Sequence, residues 1–155
     1  MWRPSLSINV AHGHLARVAL VTGNITNQAA QWNLAIAWIW ILLGFASGFL
    51  MGLFFHRDDW LGGYGSFKRR LYRLAHIAFF GTGFVNFMFW LTAPRLGSGG
   101  ITLAVASWAF ILGAITMPVC CVLMAQDKRF KLLFGVPVFS LITGAGATLW
   151  QIFKL

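Results

Sequence analysis

Charge is what this sequence has least of, and its absence is concentrated. Charged residues make up 10% of the chain, against about a quarter in an ordinary globular domain. No Asp, Glu, Lys or Arg occurs between Arg17 and Arg57, Arg73 and Arg95, Arg95 and Asp127, or Lys131 and Lys154. Each interval holds the roughly 20 apolar residues that cross a bilayer as a helix. With 59% hydrophobic residues, a soluble fold of 155 residues has too little interior to hide its apolar side chains. Acidic residues are nearly missing: Asp58, Asp59 and Asp127 stand against 12 Lys and Arg, and none lies inside an apolar run. That lack speaks against a proton or cation carrier, which needs an embedded carboxylate. Only Cys120 and Cys121 carry thiols; adjacent in sequence, they point to different faces of a helix and lie on the expected reducing side, which speaks against a structural disulfide.

What is present is an alternation of apolar spans and basic connections. The pattern predicts an all-α integral membrane protein, an antiparallel four-transmembrane-helix bundle with helices over about 34–55, 71–91, 101–124 and 132–153. An extramembrane segment, 1–33, precedes the four-helix domain, 34–155. Arg57, Lys68, Arg69, Arg70 and Arg73 cluster at the first connection, and Lys128, Arg129 and Lys131 at the third. By the positive-inside rule, connections 56–70 and 125–131 are cytoplasmic and both termini are outside, as in a bacterial inner membrane. The excess of basic residues fits anionic lipid headgroups at span ends rather than nucleic acid, for which no soluble basic face exists. Trp32, Trp38, Trp40, Trp90, Trp108 and Trp150 fall toward the outer side, with Trp40 and Trp108 deep enough to face a neighbouring helix.

Small residues at four-residue spacing let helices approach in lipid. Gly44, Gly48 and Gly52 form one such stripe, and Ala109 with Gly113, and Ser140, Gly144 and Thr148, form two more. They are expected as helix-packing faces, in the manner of a glycine zipper.

His76 is the ionisable residue placed deepest in a span, about 7 to 8 Å from the cytoplasmic boundary at 1.5 Å per residue. Imidazole is an axial ligand for haem, and Gly83, on nearly the same face, would leave room for a ring edge. His56 is the other histidine on that side, but it sits at the end of its helix. A haem b or quinone site using His76 and His56 is therefore weighed against a neutral histidine hydrogen-bonded inside the bundle, which the depth mismatch favours. Met51, His76, Met117, Cys120, Cys121 and Met124 share the cytoplasmic half and have the softness that suits Cu(I), yet the same residues are ordinary filler, and no metal site is assigned. His12-Gly13-His14 lacks further ligands, and Asn24-Ile25-Thr26 is a short sequon without weight.

The first connection, HRDDWLGGYGSFKRR, carries Trp60, Tyr64, Phe67, Arg69 and Arg70, a set suited to contact with a partner or with headgroups. Asp58 and Asp59 are expected to pair with neighbouring arginines. Ser47, Thr82, Asn86 and Thr116 near mid-span would have to line one polar cavity for a transporter or channel reading to hold. Taken together, the residues favour a non-catalytic accessory, scaffold or assembly subunit of a larger membrane complex, for example an electron-transfer complex, with lipid and other membrane subunits as partners. A small haem- or quinone-binding subunit is the alternative, and a small transporter or channel the third reading.

Overall fold

The computed structural model describes the backbone of residues 5–97 and 100–155, with side chains from residue 28 onward. The side chains of Arg3, His12, His14, Arg17 and Asn24 lie outside the described residues. The described chain is helical without strands: α1 (Ser5–Phe54), a 3₁₀ turn (Trp60–Gly62), α2 (Phe67–Thr92), a 3₁₀ turn (Ala93–Leu96), α3 (Gly100–Gln126), a 3₁₀ segment (Lys128–Phe134) and α4 (Gly135–Ile152). Four stretches are long and apolar enough to cross a membrane: Gln28–Phe54, Phe67–Leu96, Gly100–Gln126 and Lys128–Ile152.

The boundaries shift from the expected ones for local reasons. α1 is helical from Ser5, because nothing between there and Leu34 breaks a helix: there is no proline, and the glycines are isolated. α2 begins at Phe67, four residues before Leu71, since Ser66 adopts an extended conformation and its hydroxyl accepts from Arg69 N at 3.1 Å, capping the helix ahead of the basic cluster. Just before it, Leu61, Gly62 and Gly63 have φ of 56°, 84° and 93°, a run on the left-handed side that reverses the chain; glycine takes such angles freely, Leu61 does not. Ser66 Oγ also donates to Leu61 O at 2.7 Å and holds that turn closed.

Contacts run in opposite order along successive helices. Asn33, Trp40 and Ser47 of α1 meet Asn86, Phe79 and His76 of α2, while Asn33 and Trp40 meet Ser107 and Ala114 of α3. Thus α1, α2 and α3 contact one another in turn and form a three-helix core, whereas α4 rests on α3 alone for its substantial contacts between helices. α3 is central: 44% of its most apolar stretch is buried, against 11% for α1 and 11% for α4. Gly113 and Gly144 set the α3 to α4 distance reciprocally, since a Cβ on Gly113 would lie 2.7 Å from Leu141 and a Cβ on Gly144 would lie 2.8 Å from the Phe110 ring.

The glycines of α1 act differently from the expected continuous stripe. A Cβ on Gly44 would meet the Phe80 ring at 2.7 Å and one on Gly48 the His76 ring at 2.8 Å, so these two are sockets for side chains of α2. Gly52 faces open space, with nothing of the described chain within 4 Å. At Gly83 an added Cβ would instead meet the backbone of α1, standing 3.1 Å from Trp40 Cβ and 3.3 Å from Ala37 O.

Candidate functional site

Two polar constellations lie inside this frame. The first joins α1, α2 and α3 near their Asn33 end. Asn33 Nδ2 donates to Asn86 Oδ1 at 2.8 Å and to Ser107 O at 3.3 Å; Ser107 Oγ donates to Asn33 Oδ1 and, at 3.1 Å, to Ala29 O. Asn86 Nδ2 reaches Thr82 O at 2.9 Å and Phe110 O at 3.3 Å. Every group is bonded and all three side chains are buried, so this is a lock that fixes the rotation of three helices, not a reactive site. Asn33, the last residue before the expected four-helix domain, is buried at 0% exposure against α2 and α3.

The second constellation surrounds His76 on the second and third turns of α2. His76 Nδ1 lies 2.9 Å from Ser47 Oγ, and Ser47 Oγ lies 3.0 Å from Gly44 O. The hydroxyl has one proton and the carbonyl only accepts, so both contacts are satisfied when His76 carries a proton on Nδ1, which in the neutral ring leaves the lone pair on Nε2. Phe80 stands edge-on to the ring at 5.4 Å. Two cavities flank the imidazole. One of about 180 Å³ is lined by Met51, Phe55, Trp60, Arg69, Arg73, His76 and Ile77. The other, about 450 Å³, shares Met51, Trp60 and His76 and reaches Ser47 and Phe79.

The structure does not bring His56 to His76: His56 is exposed on the connection and lines neither cavity. Nor is there space beside Gly83, which is filled by Ala37, Trp40 and Ile41 of α1. Among the described residues, no three His, Cys, Asp or Glu are grouped to hold a metal. Cys120 and Cys121 are buried, and Cys120 Sγ donates to Leu133 O at 3.3 Å. Ser47, Thr82, Asn86 and Thr116 bond in separate places: Thr82 and Asn86 belong to the lock, Ser47 to His76, and Thr116 Oγ1 bonds Leu112 O of its own helix at 2.7 Å.

The contact set on the first connection divides. Tyr64, Phe67 and Arg70 are exposed, whereas Trp60 is half-buried and stacks on Phe54 at 5.8 Å. Arg69 is enclosed: it is 2% exposed, with Phe55, Trp60 and Tyr64 rings 5.1–5.4 Å from its guanidinium carbon. Asp58 and Asp59 do not neutralise it. The one ion pair among the described residues is Arg129 Nε to Asp127 Oδ2, 3.9 Å apart and exposed. The aromatic side chains fold over Arg69 because the Leu61–Gly63 turn returns the connection onto the start of α2, and cation–π attraction takes the place of the expected salt bridge. Arg73 was not singled out from the sequence, although the spacing Arg69, Arg73, His76 repeats at i, i+4, i+7 and so marks one helix face.

Comparison with protein-family models, with curated proteins and with solved structures finds no match.

Proposed function

We propose that the chain is an integral membrane protein, its four helices an antiparallel bundle across a bacterial inner membrane, serving without catalysis of its own as an accessory, scaffold or assembly subunit of a larger membrane complex. The observation that carries this reading is the unclosed packing of α4. Because α4 rests on α3 alone, a groove of about 450 Å³ opens between α2 and α4, walled by Phe84, Met88, Phe89, Phe110, Leu149 and Ile152. A transmembrane helix of a partner subunit has the shape and apolarity to complete it. Gly52, Gly81 and Gly146 support the same reading, since each is exposed with nothing within 4 Å, and bare glycines on outward faces permit close approach of a further helix. The basic clusters at the first and third connections support cytoplasmic placement of both, with the termini outside.

Native mass spectrometry after gentle extraction from the source membrane tests this. Recovery with other subunits, and without a haem mass of its own, is the expected result. Recovery alone, with a haem or other small molecule that is lost in His76→Ala, would overturn it.

That outcome would favour a second reading, a small haem- or quinone-binding subunit. Its specific support is the Nε2 lone pair of His76 beside two cavities. The smaller of these carries no second histidine, which makes a hydrogen-bonded quinone ring a better fit than a bis-histidine haem.

A further inference from the structure

The start of α2 holds a charge without a counter-charge. Arg69 is buried, yet no carboxylate lies within 4 Å of its guanidinium among the described residues. That group makes one hydrogen bond, Nη2 to Phe55 O at 3.2 Å. Aromatic faces soften the burial of a cation without neutralising it, and a buried charge is normally paired. No sealed side-chain nitrogen among the described residues lacks a hydrogen-bond partner. The remaining N–H groups of Arg69 make no bond within the protein, so they must reach open space. Arg69 lines the smaller cavity, and so do Arg73 and His76, one and two turns further along the same face. Arg73 lies 5.0 Å from the Tyr64 ring and is likewise without a carboxylate. The lining of the cavity thus includes two arginines and no carboxylate. The adjoining larger cavity is walled mainly by Leu50, Met51, Phe54, Ala75, Phe79 and Val122 and runs toward the middle of the spans.

We infer that the two cavities together bind an anionic phospholipid, its phosphate supplying the missing counter-charge of Arg69 and Arg73 and one acyl chain filling the larger space. The guanidinium fork matches phosphate oxygens two at a time. Basic pockets between helices at a cytoplasmic boundary are where anionic headgroups are held. The phosphate is the chemistry the site recognises; the apolar extension is what selects a lipid over a free anion. The inference rests on the membrane reading above.

The test uses the full chain extracted in neutral detergent and stripped of lipid. Binding of phosphatidylglycerol, of phosphatidylcholine with the same acyl chains, and of inorganic phosphate is followed by native mass spectrometry and by the rise in Tm. Arg73→Gln is the informative variant because Arg73 is only half-buried, and Arg70→Gln, on the exposed neighbour, is the control. Phosphatidylglycerol should bind more tightly than phosphatidylcholine. Arg73→Gln should lose on the order of tenfold in that affinity, the worth of a charge-assisted hydrogen bond, while Arg70→Gln is unchanged. Equal binding of the two lipids, or equal losses in both variants, would overturn the site. Full competition by inorganic phosphate would overturn the lipid assignment in favour of a free anion. Failure of the membrane reading is distinguishable, since the chain would then leave membranes in alkaline carbonate without detergent.

Discussion

Replacing Asn86 by alanine tests the polar lock, and the expected loss can be worked from its bonds. Three hydrogen bonds disappear. One, to Thr82 O at 2.9 Å, is internal to α2; two cross between helices, from Asn33 Nδ2 at 2.8 Å and to Phe110 O at 3.3 Å. Side-chain hydrogen bonds between membrane helices average about 0.6 kcal/mol and reach about 1.7 kcal/mol, so the two crossing bonds set a loss of about 1 to 3 kcal/mol. The orphaned N–H of Asn33 moves the value toward the upper end, because water cannot replace the lost acceptor in a buried site. Asn86→Ala should therefore shift the unfolding equilibrium by roughly 5- to 150-fold. The assay is a titration of detergent-solubilised protein with SDS, followed by the fluorescence of its eight tryptophans. Thr116→Val is the control, since Thr116 bonds only within its own helix, and it should cost less than about 0.5 kcal/mol. A double-mutant cycle with Asn33→Ala isolates the pair, with a coupling near 1 kcal/mol expected. If Asn86→Ala matches the wild type within about 0.5 kcal/mol, or the cycle shows no coupling, the two residues do not meet and the register of α1 on α2 is wrong.

Two glycines of α2 make a matched pair. Gly83→Ala places a methyl group 3.1 Å from Trp40 Cβ and 3.3 Å from Ala37 O and should destabilise by about 1 to 3 kcal/mol, whereas Gly81→Ala meets nothing and should be neutral or stabilise by up to about 1 kcal/mol in the same titration. Equal effects would mean that Gly83 does not mark the helix contact. Cys120 and Cys121, at 5% and 0% exposure, should resist a maleimide reagent in mild detergent and add two labels once SDS unfolds the chain; rapid labelling of the native protein would contradict their burial. A periplasm-active reporter fused after Lys154 should be active and one inserted at Gly63 silent, and the reverse pattern would refute the orientation.

Much of this architecture is legible in one dimension because the charge-free intervals alone delimit four helices long and apolar enough to cross a membrane. What stays hidden depends on which face meets which. Asn33 reads as a polar break before the first span, yet its partners Asn86 and Ser107 are 53 and 74 residues away, and only their convergence makes it internal. The Gly44, Gly48 and Gly52 spacing correctly puts three glycines on one side of α1 but cannot say that Phe80 and His76 enter the first two sockets while the third stays empty. Arg69 looks like any member of a basic cluster. Its enclosure follows from Leu61 adopting a backbone angle that no local rule assigns to leucine, which turns Trp60 and Tyr64 back over it. The place of His76 in a charge-free stretch is plain from the sequence; its partner Ser47 reads there only as a mildly polar residue.

The single-sided attachment of α4 has a consequence for how the molecule comes apart. Three helices share mutual contacts and the Asn33, Asn86, Ser107 lock, so none of them can leave without breaking the other two interfaces. α4 gives up one interface when it detaches, chiefly the Gly113 and Gly144 sockets, while every bond of the lock survives. The lowest-energy opening of this fold is therefore a swing of α4 about the 3₁₀ segment Lys128–Phe134, and amide exchange in α4 should run ahead of exchange in the three-helix core.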